Sequence, residues 1–183
     1  MARVLIVYSS YDGQTARIAE RIAGHLGSSG HPCVVRSLEN APETFADCDA
    51  VIVGGAIRYG HHARALEKWA KRHRDALAAR PNAFFSVCMS AGGPGARPKT
   101  AQGYLDEFRK RTGWEPQALA SFAGACYYTR YNPFIRFMMR LIMGMAGGET
   151  DTSRDYEYTD WPGIDRFAGE FAGRFAGRAV AAA

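Results

Sequence analysis

Long apolar stretches alternate with segments of helical periodicity along most of this chain. The apolar stretches predict β-strands at residues 4–7, 32–38, 50–55, 83–89 and 118–126. Apolar positions with helical spacing predict helices at residues 16–26, 64–79, 101–112, 134–145 and 164–175. This alternation predicts an α/β fold with a right-handed, doubly wound parallel sheet. Ligands of such sheets bind beyond the carboxyl ends of the strands, which here places loops 9–15, 55–62 and 89–99 on one rim.

The first strand, turn and helix together predict an anion site. The first backbone N–H groups of a helix lack intrahelical partners, and the helix dipole favours negative charge there. Ser9, Ser10 and Thr15 add hydroxyl groups, and Gly13 lets the backbone approach a ligand closely. A phosphate group suits this turn. Many α/β proteins carry a polar turn at the same place that binds nothing, so spacing alone leaves both interpretations open.

Composition narrows the class of protein. The chain has 183 residues, 47% hydrophobic and 22% charged, which predicts one globular domain spanning 1–183. The net charge of +5 suits an anionic ligand or an anionic membrane surface. The basic residues are dispersed and no nucleic-acid motif occurs, so we expect no nucleic-acid partner. The first residues predict a strand, so we expect no signal peptide, and no uncharged apolar run reaches 18 residues. Residues 174–183 are Ala-rich, and we expect the last of them to be frayed.

The four cysteines are widely spaced and match neither a disulfide framework nor a zinc site. They are Cys33, Cys48, Cys88 and Cys126. This spacing predicts reduced thiols in a cytosolic protein, with no bound metal.

Residues 127–152 are the unusual part of the sequence. The helix predicted at 134–145 is large and apolar apart from Gly144 and two arginines, Arg136 and Arg140, which share one narrow face. Its apolar face would hold Phe134, Phe137, Met138, Leu141, Ile142 and Met145. Such a helix is either ordinary core, an interfacial membrane helix, or the wall of an apolar ligand site. A polar loop follows at 147–152, and residues 155–161 are expected to extend or pair beside the fifth strand.

Several motifs in order resemble one known family. The Ser-Tyr-Asp-Gly-Gln-Thr turn at 10–15 is similar to a flavodoxin FMN-phosphate loop, with Asp12 where Thr is common. The Gly-Gly-Glu-Thr-Asp-Thr block at 147–152 and the Tyr-Thr-Asp-Trp block at 158–161 are more specific. Together with Ile57–His61 and the 136–143 segment, they resemble the flavodoxin-like, quinone-dependent protoporphyrinogen IX dehydrogenases of haem biosynthesis. The similarity runs from about residue 3 to 170.

This resemblance implies a five-stranded sheet of order 2-1-3-4-5, with a long insert at 127–147 in the region of the fifth strand. It implies oxidation of protoporphyrinogen IX to protoporphyrin IX, with bound FMN passing electrons to a membrane quinone, either menaquinone or ubiquinone. Because substrate and acceptor are lipophilic, we expect a cytoplasmic protein peripherally associated with the inner face of the cell membrane. The sequence leaves the oligomeric state open.

The same resemblance implies an FMN site built from three loops. Backbone amides at 10–15 would hold the phosphate, while the ionised Asp12 would instead cap the first helix. Loop 56–60 would flank the isoalloxazine, with Tyr59 or backbone on one face, and residues 86–90 would lie on the other side. The predicted cofactor residues are Ser10, Tyr11, Asp12, Gly13, Gln14, Thr15, Ala56, Ile57, Arg58, Tyr59, Gly60, Ser86, Val87, Cys88, Met89 and Ser90.

A porphyrinogen with two propionates needs cations near an apolar platform. The candidates are Arg58, Arg97, Lys99, Arg130 and Arg136, because arginine matches carboxylate geometry. His61 and His62 are weak candidates for proton acceptors near neutral pH, although solvent would also serve. Loop 89–99 is less basic than the resemblance leads one to expect.

Three other functions stay open from sequence alone. A carrier flavodoxin normally has an acidic docking face, whereas this chain is basic. An NAD(P)H:quinone reductase needs a nicotinamide site, and no second Gly-rich dinucleotide signature occurs. A non-enzymatic flavin sensor is the third.

Overall fold

Five parallel strands form the centre of the molecule, in the order β2-β1-β3-β4-β5. The computed structural model describes residues 1–179, with side chains through residue 174. The strands of this sheet are β1 (Val4–Ser9), β2 (Cys33–Ser37), β3 (Ala50–Ala56), β4 (Asn82–Cys88) and β5 (Ala118–Ala123). The predicted fold class and strand order are therefore confirmed. The expected fraying of the tail concerns residues 180–183, which lie outside the described part.

Helices cover both faces of the sheet. The α-helices are α1 (Gln14–Ser28), α2 (Arg64–Ala78), α3 (Pro98–Thr112), α4 (Pro133–Ala146) and α5 (Trp161–Ala179), and all of these except α4 pack on the sheet. Ile18, Ile22 and Phe171 bring α1 and α5 against one face of the sheet. Leu66, Trp69 and Phe108 bring α2 and α3 against the other. Because the central strands β1, β3 and β4 are covered on both sides, their sequences are continuously apolar rather than alternating.

The predicted fifth strand is too long at its carboxyl end. Pairing with β4 stops at Ala123, and the short strand β6 (Ala125–Cys126) instead pairs antiparallel with β7 (Tyr156–Glu157). The amide of Tyr158 donates to the carbonyl oxygen of Gly124, which continues this pairing. Residues 155–158 therefore do pair beside the continuation of β5, as expected, but Trp161 already begins α5.

Smaller corrections concern the ends of helices. The helix predicted at 101–112 begins earlier than expected, because α3 starts at Pro98, a residue suited to the first turn of a helix. The α4 helix begins after Asn132, whose side chain accepts a hydrogen bond from the Ile135 amide at 2.9 Å. It ends at Gly147, which adopts a left-handed conformation. Within residues 1–179, no helix is long and apolar enough to cross a bilayer.

Candidate functional site

A cleft opens where the carboxyl ends of β1, β3 and β4 meet. It encloses about 430 Å³ of empty space, open solvent included. Eleven of the sequence-predicted cofactor residues line it: Ser10, Tyr11, Asp12, Gln14, Thr15, Ala56, Ile57, Arg58, Val87, Cys88 and Met89. Gly124 and Ala125 also line the cleft and were not predicted. Their backbone reaches it because the chain leaves the sheet at Gly124 to pair with β7, a change of partner that the apolar sequence does not signal.

The turn before α1 has the features of a phosphate cradle. Gly13 is the N-cap residue, with φ of 91°, and no side chain caps the helix. The Arg17 amide donates to the Gly13 carbonyl oxygen, so the amides of the preceding first turn lack intrahelical acceptors. The first turn carries no acidic residue, and the hydroxyl of Ser10 accepts from the Gly13 amide at 3.0 Å. Free amides, a hydroxyl group and an unneutralised helix dipole all fit an anionic phosphate.

Asp12 does not cap α1, so that prediction is wrong. Gly13 occupies the N-cap position, and the Asp12 carboxylate instead accepts a hydrogen bond from the Tyr131 hydroxyl at 3.4 Å. The nearby carboxylate raises the pKa of Tyr131, although burial raises it more. This contact joins the phosphate turn to the segment before α4.

Gln14 is the centre of a hydrogen-bond network between α1 and β7. Its amide nitrogen donates to the Thr159 hydroxyl at 2.7 Å and to Glu157 at 3.2 Å. Its amide oxygen accepts from the Tyr127 hydroxyl at 2.6 Å and from Arg17 at 2.9 Å. Burial would raise the pKa of Glu157, but hydrogen bonds from Arg17 and Gln14 outweigh it and lower the pKa. The network fixes the phosphate turn against the chain that follows β5.

The second loop presents a tight turn at the rim of the cleft. Arg58 and His61 exchange backbone hydrogen bonds, and both residues between them have positive φ, 53° at Tyr59 and 83° at Gly60. This conformation matches a tight hairpin turn and is unusual for a tyrosine. Tyr59 is 77% exposed, so it stands at the rim rather than within the cleft. The Arg58 guanidinium lies over the Tyr11 ring at 4.9 Å and the Tyr59 ring at 5.5 Å.

The third loop divides into residues that face the cleft and residues that do not. Val87, Cys88 and Met89 line it, and burial raises the pKa of the Cys88 thiol to about 11, so the thiol stays protonated. Ser86 is fully buried, and its hydroxyl pairs with the ring of His62 at 3.0 Å. Ser90 lies just beyond the cleft.

His62 is an interior residue, which overturns its candidacy as a proton acceptor near neutral pH. It is 2% exposed, and its ring packs edge-on against Phe84 and Phe108. Burial lowers its pKa to about 4, so the ring is neutral at physiological pH. His61 is exposed on the turn beside the cleft.

The candidate cations do not converge on one point. The Arg97 guanidinium donates to the Met145 carbonyl oxygen at the end of α4, and Lys99 is exposed in the first turn of α3. Arg130 lies over the Tyr127 ring, 4.3 Å from its centroid. Arg136 donates to the carbonyl oxygens of Tyr128, Thr129 and Tyr131. Its guanidinium is therefore held against the turn that precedes α4, whereas Arg140 is exposed.

Sequence comparisons identify relatives over most of the chain. A family model described as a flavodoxin domain matches residues 5–153. The protoporphyrinogen IX dehydrogenase (quinone) of Escherichia coli K12 is 39% identical over 169 residues, which cover 92% of this chain and 93% of that protein. A protein of the same name from Leishmania major is 38% identical, covering 92% of this chain and 74% of its own length.

Comparisons with solved structures support the fold. A flavodoxin from Streptococcus pneumoniae TIGR4 aligns with a TM-score of 0.57 and 16% identity, covering 94% of this chain and 99% of that one. Flavodoxin 1 from Bacillus cereus aligns with a TM-score of 0.54 and 18% identity, covering 93% of this chain and 97% of that one. At these identities the similarity establishes the flavodoxin-like architecture.

Proposed function

This chain belongs to the flavodoxin domain family and, within it, to the family of the quinone-dependent protoporphyrinogen IX dehydrogenases, and we propose that it oxidises protoporphyrinogen IX to protoporphyrin IX with a quinone as acceptor. Six electrons and six protons leave the macrocycle, so three quinones become three quinols. The observation that carries the proposal is the identity to these dehydrogenases, which extends over 92% of the chain. We further propose that residues 127–147 are an insert relative to shorter flavodoxins, since their one α-helix, α4, lies outside the five-stranded sheet.

We propose FMN as the cofactor. The phosphate cradle at residues 10–15 supports this choice, because it offers free amides, a hydroxyl group and no carboxylate in the first helical turn. Ala56, Ile57 and Arg58 would border the ring system on one side and Val87, Cys88 and Met89 on the other. When bound, FMN would supply the two-electron redox chemistry. The protein would contribute binding, orientation and exclusion of water.

The macrocycle would lie against the open side of the same cleft. Arg58 is the best placed cation for a propionate, because its guanidinium sits between two tyrosine rings at the rim. Arg97, Lys99 and Arg130, which do not line the cleft, remain candidates for binding a propionate. Arg136 is less suited, since its donors already serve three backbone carbonyls. Protons leaving the macrocycle would pass to solvent or to the exposed His61, because the pKa of His62 is lowered to about 4 by burial.

We propose that α4 associates peripherally with the inner face of the cell membrane, and that the rest of the protein lies in the cytoplasm. The support is an unpartnered apolar face of α4, on which Phe134 is 72% and Met145 82% exposed. Phe137, Met138, Leu141 and Ile142 belong to the same face. The α4 helix contains no acidic residue, and Arg140 is exposed at the edge of this face, where it suits anionic lipid.

An anaerobic titration tests the function. The purified protein is reconstituted with FMN or FAD, and protoporphyrinogen IX is added without oxygen. We expect tight uptake of FMN, bleaching of the flavin absorbance by protoporphyrinogen, and recovery on addition of menaquinone or ubiquinone analogues. Bleaching by NAD(P)H but not by protoporphyrinogen would indicate an NAD(P)H:quinone reductase. Absence of bleaching by either donor would indicate a carrier flavodoxin, and preferential uptake of FAD would refute the cofactor assignment.

A further inference from the structure

A second groove lies beside the flavin cleft, between α4 and the loop that follows β4. We call it the methionine groove. Its walls include Met89, Arg97 and Thr100 on one side, and Met139, Ile142 and Tyr158 on the other. It encloses about 910 Å³ of empty space, open solvent included. No carboxylate lines it within the described residues, and its lining is mostly apolar.

Glycines in the loop allow the walls of the groove to approach one another. A Cβ atom on Gly93 would lie 2.8 Å from the Tyr158 ring, and one on Gly95 would lie 3.0 Å from the Ala146 carbonyl oxygen. Either contact is too close for an unrelaxed structure, so larger residues would push Tyr158 or the end of α4 away. Glycine at these two positions therefore lets the loop close an apolar groove against Tyr158 and the end of α4.

The Tyr158 hydroxyl is a donor without an acceptor. Its oxygen is buried and has no hydrogen-bond partner among the described residues. The ring stacks on Tyr156 with centroids 6.3 Å apart, which holds it in place. Burial raises the pKa of Tyr158, so the hydroxyl stays protonated and able to donate. Buried donors are normally satisfied, and a ligand acceptor would satisfy this one.

The methionine groove is continuous with both the flavin cleft and the apolar face of α4. Met89 lines the groove and the flavin cleft alike. Ile142 and Met145 line the groove and also belong to the exposed apolar face. A lipophilic molecule could therefore pass from the surface of α4 along the groove to the edge of the flavin cleft.

We propose that the methionine groove binds the quinone acceptor, with a ring carbonyl accepting the Tyr158 hydrogen bond and the isoprenoid tail lying along α4. The proposal rests on the proposed function and adds the location of the acceptor site. A quinone presents only neutral acceptors and apolar surface, which matches the groove. The porphyrinogen carries two propionates, whereas Arg97 is the only charged residue that lines the groove within the described part. That guanidinium already donates to the Met145 carbonyl oxygen.

Two substitutions test the site in the FMN-loaded protein. Tyr158→Phe removes only the orphaned hydroxyl, and Thr100→Trp fills the groove from α3 without changing any residue of α4. Binding of ubiquinone-1, which carries one isoprene unit, is measured by calorimetry. We expect Tyr158→Phe to weaken binding about fivefold, the effect of one neutral hydrogen bond, and Thr100→Trp to abolish measurable binding. Tyr156→Phe and Lys110→Trp are matched controls, because neither side chain lines the groove, and both should bind the quinone normally.

Stopped-flow half-reactions separate this proposal from the proposed function. In both variants, we expect anaerobic flavin reduction by protoporphyrinogen to keep its wild-type rate, while reoxidation by ubiquinone-1 requires a higher quinone concentration. Unchanged quinone affinity in both variants would overturn the groove assignment while leaving the dehydrogenase intact. Weakened reduction by protoporphyrinogen with normal quinone binding would assign the groove to the macrocycle instead. Failure of the wild-type flavin to be reduced by protoporphyrinogen would refute the proposed function itself.

Discussion

Replacing Phe137 and Leu141 together by Ser should weaken membrane binding without unfolding the protein. Both residues lie on the outer face of α4, 58% and 47% exposed respectively. The inner side of the helix is formed by other residues, chiefly Met143, which packs with Cys126 and Tyr128. Because the substituted side chains contribute little to that packing, the free energy of unfolding should change by less than about 1 kcal/mol.

The size of the effect follows from the exposed fractions. Transfer of a fully exposed Phe or Leu side chain into an apolar phase is worth about 1.5–3 kcal/mol. Scaled by the exposure of the two residues, the pair contributes about 2–3 kcal/mol to binding a bilayer. The double substitution should therefore lower the liposome partition coefficient roughly 30- to 150-fold.

Sedimentation with liposomes of mixed neutral and anionic lipid measures this change, and flavin absorbance reports whether FMN stays bound. Val34→Ser is a matched control, since Val34 is 47% exposed on the edge strand β2, away from α4. The control should bind liposomes like the wild type. Loss of FMN together with unfolding would mean that α4 is ordinary core. If the folded double variant sediments with liposomes as completely as the wild type does, the membrane role is refuted.

Three further predictions follow from individual residues. Gly13→Val should weaken FMN binding about tenfold or more, because a φ of 91° is strained for a β-branched residue, although no atom crowds the position. Equilibrium flavin titration measures this change, and Gly24→Val, on the open surface of α1, is the control. Arg140→Glu should reduce binding to anionic liposomes by roughly tenfold at low salt and less at high salt. Arg136→Glu should instead lower the melting temperature, since it removes the guanidinium that donates to the carbonyls of Tyr128, Thr129 and Tyr131. His62 should make the free energy of unfolding depend on pH. The pKa of its ring in the folded protein, about 4, lies below the usual 6.5, so its contribution to the free energy of unfolding is complete above pH 6.5 and is lost as the pH falls toward 4. Urea unfolding at pH 7 and pH 4.5 should show a fall of about 2–3 kcal/mol from this group, a smaller fall in His62→Gln, and the wild-type fall in His61→Gln.

The sheet was predictable because its central strands are buried on both faces and therefore read as uninterrupted apolar runs. The same property explains the error at the end of β5. Residues 118–126 are all small or apolar apart from Ser121, yet hydrogen bonding to β4 stops at Ala123. The chain then pairs with Tyr156 and Glu157, some thirty residues later. An apolar run shows that a segment is buried, but it does not show which strand is its partner.

The cleft was largely predictable from topology, because the loops after β1, β3 and β4 must meet at one edge of a parallel sheet. The roles of individual side chains were less predictable. Gln14 occupies a position in the phosphate turn, yet its amide is used by Thr159 and Tyr127 rather than left free for a ligand. Those partners lie more than one hundred residues away in sequence. Hydrogen bonds over such separations depend on the packed fold and leave no periodic signal.

The α4 helix shows how an amphipathic pattern can be recognised from sequence while the orientation of its two faces stays open. The sequence places Arg136 and Arg140 on one face, opposite the large apolar residues, and a water-soluble fold would turn the arginines outward. The structure instead holds Arg136 inward through its bonds to backbone carbonyls, and leaves Phe134, Phe137 and Met145 exposed. Exposing this much apolar surface to water is unfavourable, whereas Arg136 is stabilised by charge-assisted hydrogen bonds in either environment. The observed orientation is therefore favourable when the outer face of α4 meets an apolar phase, which is the physical reason for proposing that this face binds a membrane.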